Sequence, residues 1–232
     1  MMTFTIVHLL PELLGTYGDR GNVDVLSWRL KQRKIQHEVV VVHVGEDVPQ
    51  GGHLYLLGGG EDDAQIAAKE ILDRHGVMRK AINSGAHIFA VCAGFQLLGA
   101  VFPASGNREI SGLGILPVET FSGDPRSVGE LLAEPTIPIA TLTGFENHSG
   151  QTRFLEESQP LGRVLRGVGN SGDIAEDGII TDQIVATYMH GPALVRNPEL
   201  ADWLLSRIVG EMEPLDASVF TALHDERVKA VK

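Results

Sequence analysis

Cysteine is nearly missing from this chain of 232 residues: Cys92 is the only one. A lone thiol can form neither an internal disulfide nor a cysteine-rich metal cluster, which fits a reducing compartment. No 18-residue apolar run is present, so no membrane-spanning helix and no membrane insertion are expected. The start, Met1-Met2-Thr3-Phe4-Thr5, lacks the basic region of a secretory signal. Bases are scarce as well, with 19 Lys and Arg against 30 Asp and Glu, a formal net charge of −11. That charge opposes nonspecific binding to nucleic acid or to an anionic membrane surface. His37, His43, His53, His75 and His87 show no tight ligand spacing, so no metal site is expected. These absences predict a cytoplasmic protein that handles a small neutral or zwitterionic substrate, or a protein partner.

What is present is an alternation of strand-like and helix-like segments at the spacing of βαβ units, which implies an α/β fold with a mostly parallel sheet covered on both faces. Strands are predicted at Thr5–Leu10, Glu38–Val44, Leu54–Leu57 and His87–Val91. Helices are predicted at Asn22–Lys34, where Val23, Leu26 and Leu30 repeat at helical spacing, and at Ala64–Arg74, Met78–Asn83 and Phe95–Phe102. From Pro103 to about Gly172 the texture turns to glycine, proline and short β-prone runs, namely Gly114–Phe121, Ile137–Leu142 and Arg163–Val168. These read as an antiparallel extension of the same sheet. The parallel pattern returns at Gln183–Met189 and is followed by a helix over Glu199–Val209, with Asn197 and Pro198 suited to its start. One domain over residues 1–210 is expected, with residues 211–232 as a C-terminal tail.

Cys92 falls where an apolar strand-like run meets small residues, Ala90-Val91-Cys92-Ala93-Gly94. A sharp strand-to-helix turn needs small neighbours and exposes a nucleophile at its tip; a buried, inert thiol is the competing reading. His190 ends the late strand, and the C-terminal ends of parallel strands share one edge, where ligands bind. An imidazole beside a thiol stabilises the thiolate and can later protonate a leaving amine. Gly58-Gly59-Gly60 closes the third strand on that edge and can point N–H groups at a developing oxyanion. A phosphate cradle is disfavoured, because Glu61, Asp62 and Asp63 follow and no Lys-Ser or Lys-Thr pair does.

At this point the motifs carry a resemblance. Gly58-Gly59-Gly60, Cys92-Ala93-Gly94-Phe95-Gln96, Gly144-Phe145-Glu146-Asn147-His148-Ser149-Gly150 and Tyr188-Met189-His190-Gly191 resemble class I glutamine amidotransferase domains of the cobyric acid synthase-like branch. Tyr17-Gly18-Asp19-Arg20-Gly21-Asn22 and Arg196-Asn197-Pro198-Glu199-Leu200 extend the likeness to the glutaminase subunits of lipid II isoglutaminyl synthases. The resemblance implies a flavodoxin-like three-layer fold and a glutaminase that passes ammonia to a Mur ligase-like synthetase subunit in a heterodimer. The partner would amidate D-glutamate of the peptidoglycan stem peptide. ATP is expected on the partner, and no cofactor in this chain.

By the same resemblance Cys92 is the nucleophile and His190 its base. The N–H groups of Ala93 and Gly60 would form the oxyanion hole, Gln96 would lie near the substrate, and Arg126 would take the substrate's α-carboxylate with its guanidinium fork. Two departures stand out. Ala90 replaces the glycine usual two residues before the cysteine. The Glu often found two residues after the histidine is absent, since the chain reads His190-Gly191-Pro192; the cobyric acid synthase-like branch shares this, which leaves the group orienting His190 open, with Glu146 a candidate. A cobyrinate-type amidation, a non-catalytic scaffold for a synthetase and an unrelated cysteine hydrolase on a flavodoxin-like sheet are the alternative functions.

Overall fold

The computed structural model describes residues 3–105 and 108–231. β1 (Phe4–Leu9), α1 (Arg20–Gln32), β2 (His37–Val42), β3 (Leu54–Leu57), α2 (Asp62–Asp73), α3 (Val77–Asn83), β4 (His87–Val91) and α4 (Ala93–Leu98) make up the first half. β5 (Val101–Ala104), β6 (Arg108–Ser111), β7 (Val118–Pro135), β8 (Leu142–Phe154), β9 (Gly162–Arg166) and β10 (Glu176–Asp177) follow. The chain then returns through β11 (Ile179–Ile180), β12 (Ile184–Thr187), α5 (Ala193–Arg196), α6 (Pro198–Val209) and α7 (Ser218–Val231).

The first sheet has the order β11-β12-β4-β3-β1-β2 and is parallel except for β11 at its edge. β1 to β2 steps one way across it and β3 to β4 the other, so right-handed crossovers place the intervening helices on opposite faces. β3 and β12 are buried at every residue and β1 and β4 at all but one, which explains why they read as continuous apolar runs and not as alternating ones. β2 looks equally apolar in sequence, Val39-Val40-Val41-Val42, yet lies at the edge with only Val42 buried.

The antiparallel part is realised in two ways. β11 adds to the edge of the parallel sheet, while β5 to β10 form a second sheet, β10-β9-β7-β5-β6, with β8 paired to β7, antiparallel except where β5 meets β7. An isolated bridge between Phe145 on β8 and His190 joins the two. The long β7–β8 hairpin differs from the short runs expected: β7 begins at Val118, not Gly114, and Ile137–Leu142 is connecting chain that enters β8 only at Leu142. Gly123-Asp124-Pro125 interrupts the pattern in sequence, and the pairing accommodates it by a register shift between Ser122 and Ser127. The helix expected over Phe95–Phe102 ends at Leu98, because Val101 to Ala104 pair as a strand.

Several polar ties position the site. Arg29, buried on α1, donates through Nε and Nη2 to the two oxygens of Asp202 on α6 at 2.6 and 2.5 Å, and Arg33 adds a bond of 2.9 Å. Burial would raise the Asp202 carboxyl, but these two guanidiniums hold it below the usual carboxylate range. Asn22 accepts from the Leu194 N–H at 2.8 Å and so joins the start of α1 to the start of α5. Asn197 makes no capping bond of its own at the head of α6; its side chain exchanges bonds with the backbone of Thr143 on β8, each 2.8 Å. After residues 211–217, α7 lies against β8, with His224 Nε2 bonded to the Thr141 carbonyl at 2.7 Å.

Candidate active site

Four strands of the parallel sheet end on one edge, and each delivers part of one cluster. Tyr17 and Asp19 lie in the turn after β1, Gly58 to Gly60 follow β3, Cys92 follows β4 and His190 follows β12. β4 and β12 are hydrogen-bonded neighbours with Val91 opposite Thr187, and the Cys92 N–H donates to the Thr187 carbonyl at 2.9 Å. Two groups far apart in the chain are therefore adjacent by topology.

Cys92 has φ 51° and ψ −107°, a backbone conformation that costs a non-glycine residue about 1–3 kcal/mol. The strand above it and α4 below hold it there. Gly94 donates to the Gly58 carbonyl at 3.0 Å, and a Cβ on Gly94 would stand 2.7 Å from the Leu57 Cβ, so a glycine is required for the turn to close against β3. Ala90, in place of the usual glycine, is fully buried in β4 and leaves this sharp turn intact.

His190 is only 1 % exposed. Its backbone is clamped by Phe145, with bonds of 2.8 and 3.0 Å in the two directions. Its Nδ1 faces Asp19 Oδ1 at 3.4 Å, long for a hydrogen bond and of the loose kind seen before a substrate tightens a site. The other oxygen of Asp19 accepts from the Gly59 N–H at 2.7 Å. Gly59 has no room for a side chain: a Cβ would lie 2.7 Å from His190 Cε1. The group facing His190 Nδ1 is thus Asp19, from a motif that carried the resemblance but had no assigned role. Glu146 is engaged elsewhere, accepting from the N–H groups of Val168 and Gly169 at 2.8 Å each. Chain spacing held no signal for this pairing, since 171 residues separate His190 from Asp19.

The other ring nitrogen, Nε2, is buried without a standard hydrogen-bond partner. Burial works to lower the His190 pKa, but the bond to Asp19 and the adjacent Cys92 sulfur overcome it and raise the value to about 10. A folded-state pKa above the ordinary 6.5 means stability that is fully present below about pH 6.5 and lost as pH rises through about 10. Melting temperatures of the wild-type protein and His190→Asn, followed across that range, should converge as pH rises; a constant gap would contradict the charged pairing.

Beside the sulfur lies a cavity of about 370 Å³, lined by Cys92, Ala93, Gly60, Gln96, Arg126 and Tyr17 among others. Five of the six residues singled out in the sequence therefore share its wall, and His190 sits behind it. The Ala93 and Gly60 N–H groups donate to no other described residue, whereas those of Gly59 and Gly94 are taken. Gln96 lines the cavity with both ends of its amide engaged: it donates to Tyr188 Oη at 3.1 Å and accepts from Gln65 at 3.0 Å. Arg126 is exposed and anchored on the opposite wall by Asn147, through Nε to Oδ1 at 2.6 Å and Nη2 to the carbonyl at 3.2 Å. A larger cavity of about 830 Å³ is lined by the irregular part of β7, Gly123 to Glu130, shares Arg126 with the smaller one and holds neither Cys92 nor His190. Chemically, the smaller cavity offers a nucleophile, an imidazole oriented by a carboxylate, unengaged N–H groups and a cation for an acid, the parts required for acyl transfer from an amino-acid substrate.

The model of the CobB/CobQ-like glutamine amidotransferase domain matches residues 5–198. The chain belongs to that family and is a glutamine amidotransferase. Among curated relatives it is similar to the GatD subunit of the glutamine-hydrolyzing lipid II isoglutaminyl synthase of Staphylococcus aureus, 34% identical over 89% of this chain and 85% of that protein. The corresponding GatD of Streptococcus pneumoniae is 31% identical over 84% of this chain and 76% of its own length. A cobyric acid synthase of Brucella abortus is 33% identical over 66% of this chain but 32% of its own length. In fold, a crystal structure of a glutamine amidotransferase superposes with a TM-score of 0.61 at 21% identity, covering 88% of this chain and 98% of the other.

Proposed function

We propose that this chain hydrolyses glutamine and supplies the ammonia to a synthetase subunit that amidates lipid II. The observation that carries the chemistry is the juxtaposition of a strained nucleophile, Cys92, with an imidazole backed by Asp19 at a cavity of amino-acid size. The Cys92 thiolate attacks the side-chain carbonyl carbon of glutamine, and the N–H groups of Ala93 and Gly60 hold the resulting oxyanion. The His190 imidazolium hands a proton from Nε2 to the departing nitrogen, which leaves as ammonia while a thioester remains on Cys92. A water that gives its proton to His190 then releases glutamate and the free thiol. Arg126 takes the α-carboxylate, and Gln96 shapes the floor beside the nucleophile.

The relatives named GatD align over 209 and 199 positions, against 162 for the cobyric acid synthase, which favours lipid II over a cobyrinate-type amidation. In this reading the partner is a Mur ligase-like synthetase that binds ATP and the D-glutamate of the stem peptide, and the complex works in the cytoplasm. Among the described residues no helix is long and apolar enough to cross a membrane. The test is a reconstitution with such a synthetase, lipid II, ATP and glutamine labelled with nitrogen-15 in the side chain. The expected product carries the label on the stem peptide; labelled free ammonia with an unmodified stem peptide would refute the assignment to lipid II.

A further inference from the structure

Tyr17 has no part in the chemistry above, yet it touches two groups that do. Its ring centroid lies 4.6 Å from that of His190, with the planes tilted by 52°, and its Oη accepts from Arg126 Nη2 at 3.4 Å. It also lines the cavity that holds Cys92. The residue adopts φ 64° and ψ 16°, left-handed backbone that an L residue with a side chain enters only at a cost. The turn is held in this shape by the Thr16 N–H bond to the Gly59 carbonyl at 3.2 Å and, two residues on, by Asp19. One short turn thus holds His190 through two contacts, a ring packed against it at a tilt and a carboxylate at Nδ1.

We infer that Tyr17 is a positioning residue that ties the guanidinium receiving the substrate's α-carboxylate to the imidazole that moves its proton. This rests on the glutamine reading given above. Arg126 is an exposed, rotamer-rich side chain whose fork is useful only when aimed. Asn147 holds it through Nε and Nη2, and the Tyr17 hydroxyl is a second acceptor for Nη2 that ties the guanidinium to the turn packed on His190. Nη1 makes no hydrogen bond among the described residues and is left for the ligand. The side chain divides its two duties: the hydroxyl sets the fork, and the ring packs against the imidazole.

Tyr17→Phe separates them, because it keeps the ring and removes only the hydroxyl. Inactivation of Cys92 is followed with acivicin, an electrophile that carries an α-amino acid head group, and with iodoacetamide, which carries none. Loss of one hydrogen bond to a charged group should slow acivicin about five- to tenfold and raise the glutamine KM by a similar factor. The kcat and the iodoacetamide rate should stay within about twofold of wild type, since the ring still covers His190. In an Arg126→Ala background, Tyr17→Phe should add nothing further. The inference is overturned if Tyr17→Phe leaves both the acivicin rate and the KM unchanged, slows iodoacetamide equally, or adds its full factor on top of Arg126→Ala. A wild-type protein that neither reacts selectively with acivicin nor turns over glutamine would remove the glutamine reading itself, and this inference with it.

Discussion

Cys92→Ala should lower glutamine hydrolysis about a million-fold, to background, because Cys92 is the only thiol in the chain and no thioester can form without it. Loss of a nucleophile removes the whole thioester route, so the decline should not be partial. The fold should persist. Alanine is smaller than cysteine, Cys92 makes its backbone bonds through N–H and C=O, and the melting temperature should stay within about 3 °C of wild type. Binding of glutamine, measured by calorimetry, should survive as well, since Arg126 and Asn147 are untouched. A Cys92→Ala protein that still releases ammonia at a tenth of the wild-type rate would show that the sulfur is a buried small hydrophobe and not a nucleophile.

Asp19→Asn should lower kcat about 10⁴-fold with little change in shape, by reversing the polarity of one contact. In the proposed mechanism the Asp19 carboxylate accepts a hydrogen bond from His190 Nδ1–H and leaves Nε2 to work on the sulfur and the leaving amine. An asparagine can still accept from the Gly59 N–H through its carbonyl oxygen, which preserves the bond of 2.7 Å that holds the glycine turn. Its amide nitrogen then faces Nδ1 and donates to it. That donation selects the opposite tautomer, with the proton on Nε2, and an Nε2–H cannot take a proton from the thiol. The pH profile separates this from a loss of packing. Wild-type His190 has its pKa raised to about 10 by Asp19 and Cys92 against the effect of burial, so removing the carboxylate should move the imidazole's titration downward. Asp19→Asn with normal kcat, or with an unmoved pH profile, would mean that the carboxylate does not act through His190.

Much of this site is legible in the letters, and the reasons are local. Leu54–Leu57 and His87–Val91 are strands with the predicted bounds because they are buried on both faces, which writes an unbroken apolar run bounded by glycines and by the small residues of the turn. Cys92 and His190 announce themselves through position, each just beyond a strand of the same parallel sheet. Asp19 does not, because its meaning depends on β1 and β12 ending on one edge with two strands between them, a fact of topology that no spacing encodes. Tyr17 is hidden for a related reason: a tyrosine in a glycine-flanked turn reads as a loop residue until His190 is placed against it. The β7–β8 hairpin is obscured differently. Its pairing crosses a stretch of glycine, aspartate and proline that reads as a stop, and only the partner strand carries the register across the gap. The last helix, Ser218–Val231, shows weak periodicity and draws its support from packing on β8.

In the proposed function the sulfur and the imidazole form one glutamine-directed pair. Mass spectrometry of the intact wild-type protein after exposure to acivicin tests it most directly. The account predicts one adduct, on Cys92, blocked by glutamine, slowed at least a hundredfold in His190→Asn and absent from Cys92→Ala. An adduct that forms as fast in the presence of saturating glutamine, or as fast without the His190 imidazole, would contradict it.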